Sequence, residues 1–172
     1  LKFLTTRFIP EVLIHSKAQD ERIIRDHYDR GNDFFASFLG PRMIYTSGFF
    51  NDLNESLEVA QDRKMQMVCS KLNMKAGNSH LDIGCGWGTL VTYAAKHFGT
   101  YSTGVTIAQD GKDSGDRRAA ENGVSDRAKY IRQDYRDIDP NKKYDHITCL
   151  EMGEHVGIRK FQRFINQIYS LL

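Results

Sequence analysis

The residues best suited to chemistry are the run His80-Leu81-Asp82-Ile83-Gly84-Cys85-Gly86-Trp87-Gly88-Thr89. An apolar lead-in meets glycine at three alternate positions. Leu90, Val91, Ala94, Ala95 and Phe98 then fall on one helical face, which predicts strand, tight turn and helix. Glycines in such a turn let a ligand approach the backbone, and the helix N-terminus behind them presents N–H groups without intrahelical partners. A dinucleotide site asks for G-x-G-x-x-G and an acidic residue ~20 positions further on. Here the glycines read G-x-G-x-G and Thr89 stands where the third glycine of that pattern belongs. The end of the next strand offers Thr106, with no acid before Asp110.

The other cofactor that uses such a turn is S-adenosylmethionine, whose methyltransferases carry an acid at the place of Asp82. The spacing therefore favours S-adenosylmethionine over a nicotinamide. A glycine turn that only closes a βαβ unit is the plain alternative, and other segments have to decide it. A second set of chemical groups lies in Glu151-Met152-Gly153-Glu154-His155, where two carboxylates follow an apolar run.

The elements that must position these residues alternate. Residues 1–19 read as a lead-in and residues 20–74 as a helical cover. In that cover Ile23, Ile24, His27, Tyr28, Phe34, Phe35, Phe38 and Leu39 are interrupted by Gly31-Asn32. Asn54 is the expected N-cap of a helix over residues 55–74, with Leu57, Ala60, the stem of Lys64, Val68 and Leu72 on its buried face. Residues 75–172 then read as the cofactor-binding core. Strands are expected before Gly84, over Tyr101 to Ile107, over Ala128 to Arg132 and over Lys143 to Leu150, and a last helix is marked by Phe161, Phe164, Ile165 and Ile168. Strand and helix in alternation predict an α/β fold with a parallel sheet, in which ligands gather at the carboxyl ends of the strands. The Gly84 turn, Thr106, Asp134-Tyr135 and Glu151 to Gly157 all occupy such ends.

Composition narrows the class. At 172 residues, 40% hydrophobic and 27% charged, the chain supports one sizeable core. A net charge of +2 with interleaved signs gives no reason to expect a nucleic-acid partner. Cys69, Cys85 and Cys149 form no C-x-x-C pair, which predicts free thiols and neither a zinc site nor any other metal site. No apolar run approaches the ~18 residues of a spanning helix. The chain begins with Leu1 and stops inside an amphipathic pattern, so a core truncated on its C-terminal side is expected.

Six segments, His27-Tyr28-Asp29-Arg30-Gly31-Asn32-Asp33-Phe34-Phe35, Tyr45-Thr46-Ser47-Gly48, Leu81 to Gly88, Gly104-Val105-Thr106, Asp134-Tyr135-Arg136-Asp137-Ile138 and Glu151 to Gly157, occur in order. Together they resemble the cyclopropane-fatty-acid synthase and mycolic acid methyltransferase family. Within it, Gly40 to Gly48 and Ile147 to Met152 look closest to the fungal sphingolipid C9-methyltransferases, and Ser47 stands where bacterial cyclopropane synthases tend to have Cys.

The resemblance implies a Rossmann-like class I S-adenosylmethionine methyltransferase. It implies that Tyr45, Thr46, His80, Leu81, Asp82, Ile83, Gly84, Cys85, Gly86, Trp87, Gly88, Thr106, Gln109, Asp134, Tyr135 and Arg136 surround the cofactor. The residue chemistry is compatible for most of them. Asp82 can steer the sulfonium end or fix the loop, Gly84 and Gly86 admit the amino acid moiety, Trp87 offers an aromatic face, and Asp134 can accept from the adenine amino group. Tyr45 taken alone reads as a core aromatic. One position departs: the family carries Gln five residues after the strand-end Thr, here Gly111, with Gln109 the nearest glutamine. That puts a ribose contact, and cofactor affinity, in question.

By the same resemblance, bicarbonate serves as bound base, held in part by Glu154 with help from Ser47. Glu151 either assists or caps the last helix, and His155 reads as a packing residue. An isolated alkene is a weak nucleophile, so methyl transfer to it requires a sulfonium methyl in line with the double bond and a dry pocket in which the carbocation survives. Proton loss from the added methyl closes a cyclopropane, and loss from a chain carbon leaves a branched alkene. The implied acceptor is an unsaturated lipid, a ceramide methylated at C9 of its sphingoid base on the way to glucosylceramide. Phe34, Phe35, Phe38, Phe49 and Phe50 are available to line its path. The implied location is a membrane surface of the endoplasmic reticulum or Golgi, with the site facing the cytosol. Cyclopropane formation on phospholipid acyl chains is the alternative reaction. A non-catalytic lipid-binding or cofactor-binding remnant is the alternative of another class.

Overall fold

The computed structural model describes Phe3, Thr5, Thr6 and residues 31–172. The start of the expected helical cover, with Ile23, Ile24 and the motif residues His27 to Arg30, and all of the expected lead-in but Phe3, Thr5 and Thr6 lie outside the described residues. Among the described residues the order is α1 (Asn32–Leu39), α2 (Leu57–Lys71), β1 (Ser79–Ile83), α3 (Thr89–Phe98), β2 (Tyr101–Thr106), α4 (Gln109–Glu121), β3 (Ala128–Arg132), β4 (His146–Thr148) and α5 (Ile158–Leu171), with short 3-10 turns at Tyr135–Asp137 and Gly153–His155. The four strands are all parallel and run β3-β2-β1-β4 across the sheet. Chain progression reverses direction between β1 and β4, and the crevice at such a reversal is where open α/β sheets take their ligands.

Side chains alternate across the sheet. Leu81, Ile83 and Val105 join Ile138, Tyr144, Val156, Phe164 and Leu171 in the core under α5, each buried side chain of this size stabilising by roughly 1.5–3 kcal/mol. The opposite face carries His80, Asp82, Ser102 and Gly104, paired in register as His80 with Ser102 and Asp82 with Gly104. Beyond it, α3 meets α2 through Leu90, Ala94, Met65 and Cys69.

Three expectations need correction. The N-cap of α2 is Ser56, whose hydroxyl accepts from the Val59 amide (3.3 Å), whereas the Asn54 amide is drawn to Asp52 Oδ1 (2.7 Å) in a local turn. The buried face of α2 is Ala60, Gln61, Lys64, Met65 and Cys69, with Leu57 left 41% exposed. The face is rotated because α2 must also serve the backbone of residues 44–49. Gln61 Nε2 donates to the Ile44 carbonyl (3.3 Å), the Phe49 amide donates to the Ala60 carbonyl (3.1 Å), and Arg63 Nη1 donates to the Phe49 carbonyl (2.6 Å). β4 is also shorter than expected, three residues in place of eight.

Candidate active site

The turn after β1 is shaped by backbone bonds. The Gly84 and Cys85 amides both donate to the Val105 carbonyl (2.9 and 3.1 Å), folding the chain over the end of β2, and the Gly88 amide closes back on the Cys85 carbonyl (2.9 Å). Gly84, Gly86 and Gly88 all take left-handed φ (76, 54 and 81°), a region closed to most side chains. Their surroundings differ. A Cβ on Gly84 would stand 2.9 Å from Met152 Cγ, and one on Gly88 would fall into the Tyr130 ring and 2.9 Å from Gly115 Cα. A Cβ on Gly86 meets nothing within 4 Å. The open side of the turn is therefore at Gly86, at the carboxyl end of β1 and beside the sheet's reversal, and this is the feature that fits a cofactor lying against backbone.

Beneath the turn runs a buried polar chain. Thr148 Oγ1 donates to Asp82 Oδ1 (2.7 Å), so its oxygen is left to accept from His80 Nε2 (2.8 Å). With the imidazole kept neutral by burial, Nδ1 accepts from Ser102 Oγ (3.0 Å), whose oxygen in turn accepts from Thr100 Oγ1 (2.7 Å). Burial pushes the Asp82 carboxyl up to about 7 against the opposing Thr148 hydrogen bond, and burial with the neighbouring His146 pulls the His80 imidazole down to about 4. His80 and Asp82, both placed at the cofactor by resemblance, thus lie under the turn and brace it from below. Cys85 is buried against Gly104, and burial raises its thiol well above the ordinary range.

Trp87 is 5% exposed. Its Nε1 donates to Asn32 Oδ1 (2.7 Å) and its ring packs on Phe35 (4.9 Å), so the aromatic face expected for a ligand is spent on α1. Tyr45 is 46% exposed, in ring contact with Phe35 (6.0 Å) and Phe38 (6.1 Å). Phe34, Phe38, Phe49 and Phe50 are similarly exposed, and Phe34 meets Phe38 edge-on (5.5 Å). Tyr45 with Phe34 and Phe38 of α1 forms an exposed aromatic shelf beside the segment that carries Thr46 and Ser47.

Lys64 was not legible as a site residue. Its ammonium, on a side chain 7% exposed, donates to Thr46 Oγ1 (2.7 Å) and Ser47 Oγ (3.5 Å) and pairs with Glu151 Oε1 (3.5 Å). The available signal was a lysine at a core position of α2, since lysine is rarely buried unless paired.

At the end of β2, Thr106 is buried, its hydroxyl accepts from the Ala108 amide (3.3 Å), and its carbonyl accepts from the Gln133 amide (2.8 Å). That last bond brings the loop after β3 alongside. In this loop Asp134 is buried and receives Arg136 in a fork (Nε to Oδ1 2.8 Å, Nη2 to Oδ2 2.6 Å), and Tyr135 packs edge-on against Phe164 (5.2 Å). Gln109 is exposed and bonds Asp113 (2.8 Å) and Arg132 (3.4 Å). Glu154 and His155 are exposed on the 3-10 turn after β4, so His155 is not a packing residue of the core. Burial foremost, with Asp82 and Glu154 adding to it, pushes the Cys149 thiol up to about 12. Among the described residues no helix is long and apolar enough to cross a membrane.

The chain is 47% identical over 181 residues to the sphingolipid C9-methyltransferase of Komagataella phaffii and 49% identical over 174 residues to sphingolipid C9-methyltransferase B of Emericella nidulans, in each case over 99% of this chain. A probable fatty acid methyltransferase of Mycobacterium tuberculosis is 35% identical over 93% of the chain. The chain spans about a third of the length of these relatives (37, 34 and 37%). Among solved structures, the mycolic acid cyclopropane synthase CmaA1 complexed with SAH and CTAB superposes with a TM-score of 0.82 at 26% identity, covering 88% of this chain and 53% of that one. The parallel sheet with its helices is accordingly that of class I S-adenosylmethionine methyltransferases. The profile of the mycolic acid cyclopropane synthetase family matches residues 15–172, and the chain belongs to that family.

Proposed function

We propose that the chain forms the cofactor-holding part of an enzyme that transfers a methyl group from S-adenosylmethionine to an alkene carbon of a lipid, namely C9 of the sphingoid base of a ceramide. The observation that carries the reading is the open turn at Gly86, where backbone alone faces the crevice at the sheet's reversal. The choice of acceptor is supported by identities of 44–49% with six sphingolipid C9-methyltransferases.

In this reading Gly84 to Gly88, Thr106 and the Asp134 to Arg136 loop would hold the cofactor, with Asp82 and His80 fixing the turn from beneath. When bound, S-adenosylmethionine supplies an electrophilic methyl on a sulfonium. The chain's own part is to orient and to keep water out. The exposed shelf of Phe34, Phe38 and Tyr45 offers an apolar approach for an acyl or sphingoid chain, and it supports work at a membrane surface, by analogy at the endoplasmic reticulum or Golgi. Ser47 and Glu154 are the groups proposed to hold the base, with bicarbonate as the bound anion.

The test is to incubate the full-length protein with methyl-labelled S-adenosylmethionine and ceramide. Label on the sphingoid base, with its olefinic proton retained in the NMR spectrum, is expected. Absence of label from all lipid would overturn the proposal. The likeness to CmaA1 favours cyclopropane formation as a second reading, and label in a ring with the olefinic proton lost would select it.

A further inference from the structure

We propose that Lys64 is a positioning residue of the methyl transfer: its buried ammonium pins the segment of residues 43–50 to the loop after β4, holding the two sides of the crevice at one spacing. The proposal rests on the functional reading above for its catalytic half. Its structural half stands on geometry alone.

Three observations converge. First, Lys64 reaches both sides. Thr46 Oγ1 and Ser47 Oγ lie on one segment and Glu151 Oε1 on the other, all within 3.5 Å of a single ammonium that is shielded from solvent. Second, each segment contains a non-glycine residue in the left-handed region, Met43 with φ 50° and Glu151 with φ 54°. Such conformations persist only where surrounding contacts over-determine them. Glu151 is 50% exposed on its side chain, and its carboxylate meets the Lys64 ammonium at 3.5 Å. Third, the residue after Glu151 is Met152, whose Cβ and Cγ fill the space that a Cβ on Gly84 would need. The bend at Glu151 therefore decides how closely the β4 loop approaches the cofactor turn.

Lys64 is well placed for this because α2 already holds the neighbouring backbone at Ile44 and Phe49 through Gln61, Ala60 and Arg63. Those contacts fix one segment to the helix. Lys64 alone among them also reaches the other segment.

The test uses the full-length protein with Lys64→Met, which keeps the stem and removes the charge, and Lys64→Arg, which keeps the charge. Hydrogen exchange at the Phe49 amide and in the peptide covering Glu151 is expected to quicken ~10-fold or more in Lys64→Met, as the loss of a charge-assisted bond implies, while β1 amides are unchanged. kcat is expected to fall ~100-fold with KM for S-adenosylmethionine within ~3-fold, and Lys64→Arg is expected to recover at least a tenth of the lost rate. Unchanged exchange in both segments would overturn the pin. Faster exchange with unchanged kcat would overturn the positioning role. If Lys64→Met does not fold, Glu151→Gln and Thr46→Val each remove one partner and carry the same exchange test, with the same outcomes. A wild type that transfers no methyl group would sink the functional reading, and the exchange measurement would still decide the pin.

Discussion

Replacing Asp82 by Asn keeps the shape of the side chain and an acceptor oxygen for the Thr148 hydroxyl while removing a buried titration. Between 3.8 and about 7 the folded chain retains a proton on Asp82 that the unfolded chain has released. The stability this carboxyl contributes is therefore complete below that window and is lost as pH rises through it, at about 1.4 kcal/mol per pH unit and about 4 kcal/mol in all. His80 works in the opposite sense. Held from 6.5 down to about 4, its contribution is complete above 6.5 and is lost as pH falls towards about 4. From about pH 4 to 6.5 the two slopes cancel in the wild type, which makes these two groups, joined through the Thr148 hydroxyl, a source of flat pH dependence. Urea unfolding followed by far-UV circular dichroism at half-unit steps from pH 4.5 to 7 tests this. The stability of Asp82→Asn relative to wild type is expected to climb by about 1.4 kcal/mol per pH unit, and that of His80→Gln to fall by a similar amount up to pH 6.5. Difference curves that stay level for both variants would refute the placement of these groups in one buried chain.

Gly86→Val is expected to abolish binding of S-adenosylhomocysteine in calorimetry while the far-UV spectrum stays native, since the added side chain would occupy the open side of the turn. Wild-type affinity would refute that use of the space. Glu154→Gln is expected to abolish lipid methylation with cofactor affinity retained, and unchanged turnover would remove Glu154 from the proposed site. Tyr130→Phe deletes a hydroxyl that bonds Thr92 Oγ1 (2.6 Å) and donates to the Gly88 carbonyl (3.0 Å). A loss of roughly 1–3 kcal/mol in urea unfolding is expected, because the buried Thr92 hydroxyl loses its partner while the Gly88 carbonyl keeps only the Thr92 amide (3.1 Å).

The parts of the fold that were legible are those encoded by contiguous residues. Ala128 to Arg132 reads as a strand and is one, and the Gly84 to Gly88 turn, helix α3 and the last helix follow from periodicity and glycine spacing. Parallel pairing followed from the alternation of elements. What could not be read depends on partners remote in sequence. Lys64 looks like an aliphatic stem on a helical face until residues 46, 47 and 151 are brought to its ammonium. Trp87 looks like a free ring until Asn32 and Phe35 cover it. Asn54 and Ser56 are equally good caps on paper, and only the local bond from the Asn54 amide to Asp52 decides for Ser56. In the Asp134 to Arg136 loop both charges read as ligand contacts, yet a carboxylate and a guanidinium two residues apart satisfy one another first.

The absence of a side chain at position 111 becomes intelligible in the same terms. Read along the sequence, Gly111 is a missing contact and Gly115 a second weakness in a helix already poor in helix formers, at a cost of about 1 kcal/mol each relative to alanine. In the structure both glycines lie on the face of α4 that meets the cofactor turn. A Cβ at 111 would stand 2.5 Å from the Gly86 carbonyl oxygen, and one at 115 would stand 2.5 Å from Tyr130 Cδ1. Residues four apart on a helix are neighbours on its surface, so Gly111 and Gly115 face Gly86 and Gly88 as backbone against backbone. The helix approaches the turn by about the thickness of a side chain, and a glutamine at 111 has no room unless α4 retreats. At Gly111 the wall beside the turn is backbone, where the resemblance implies an amide side chain.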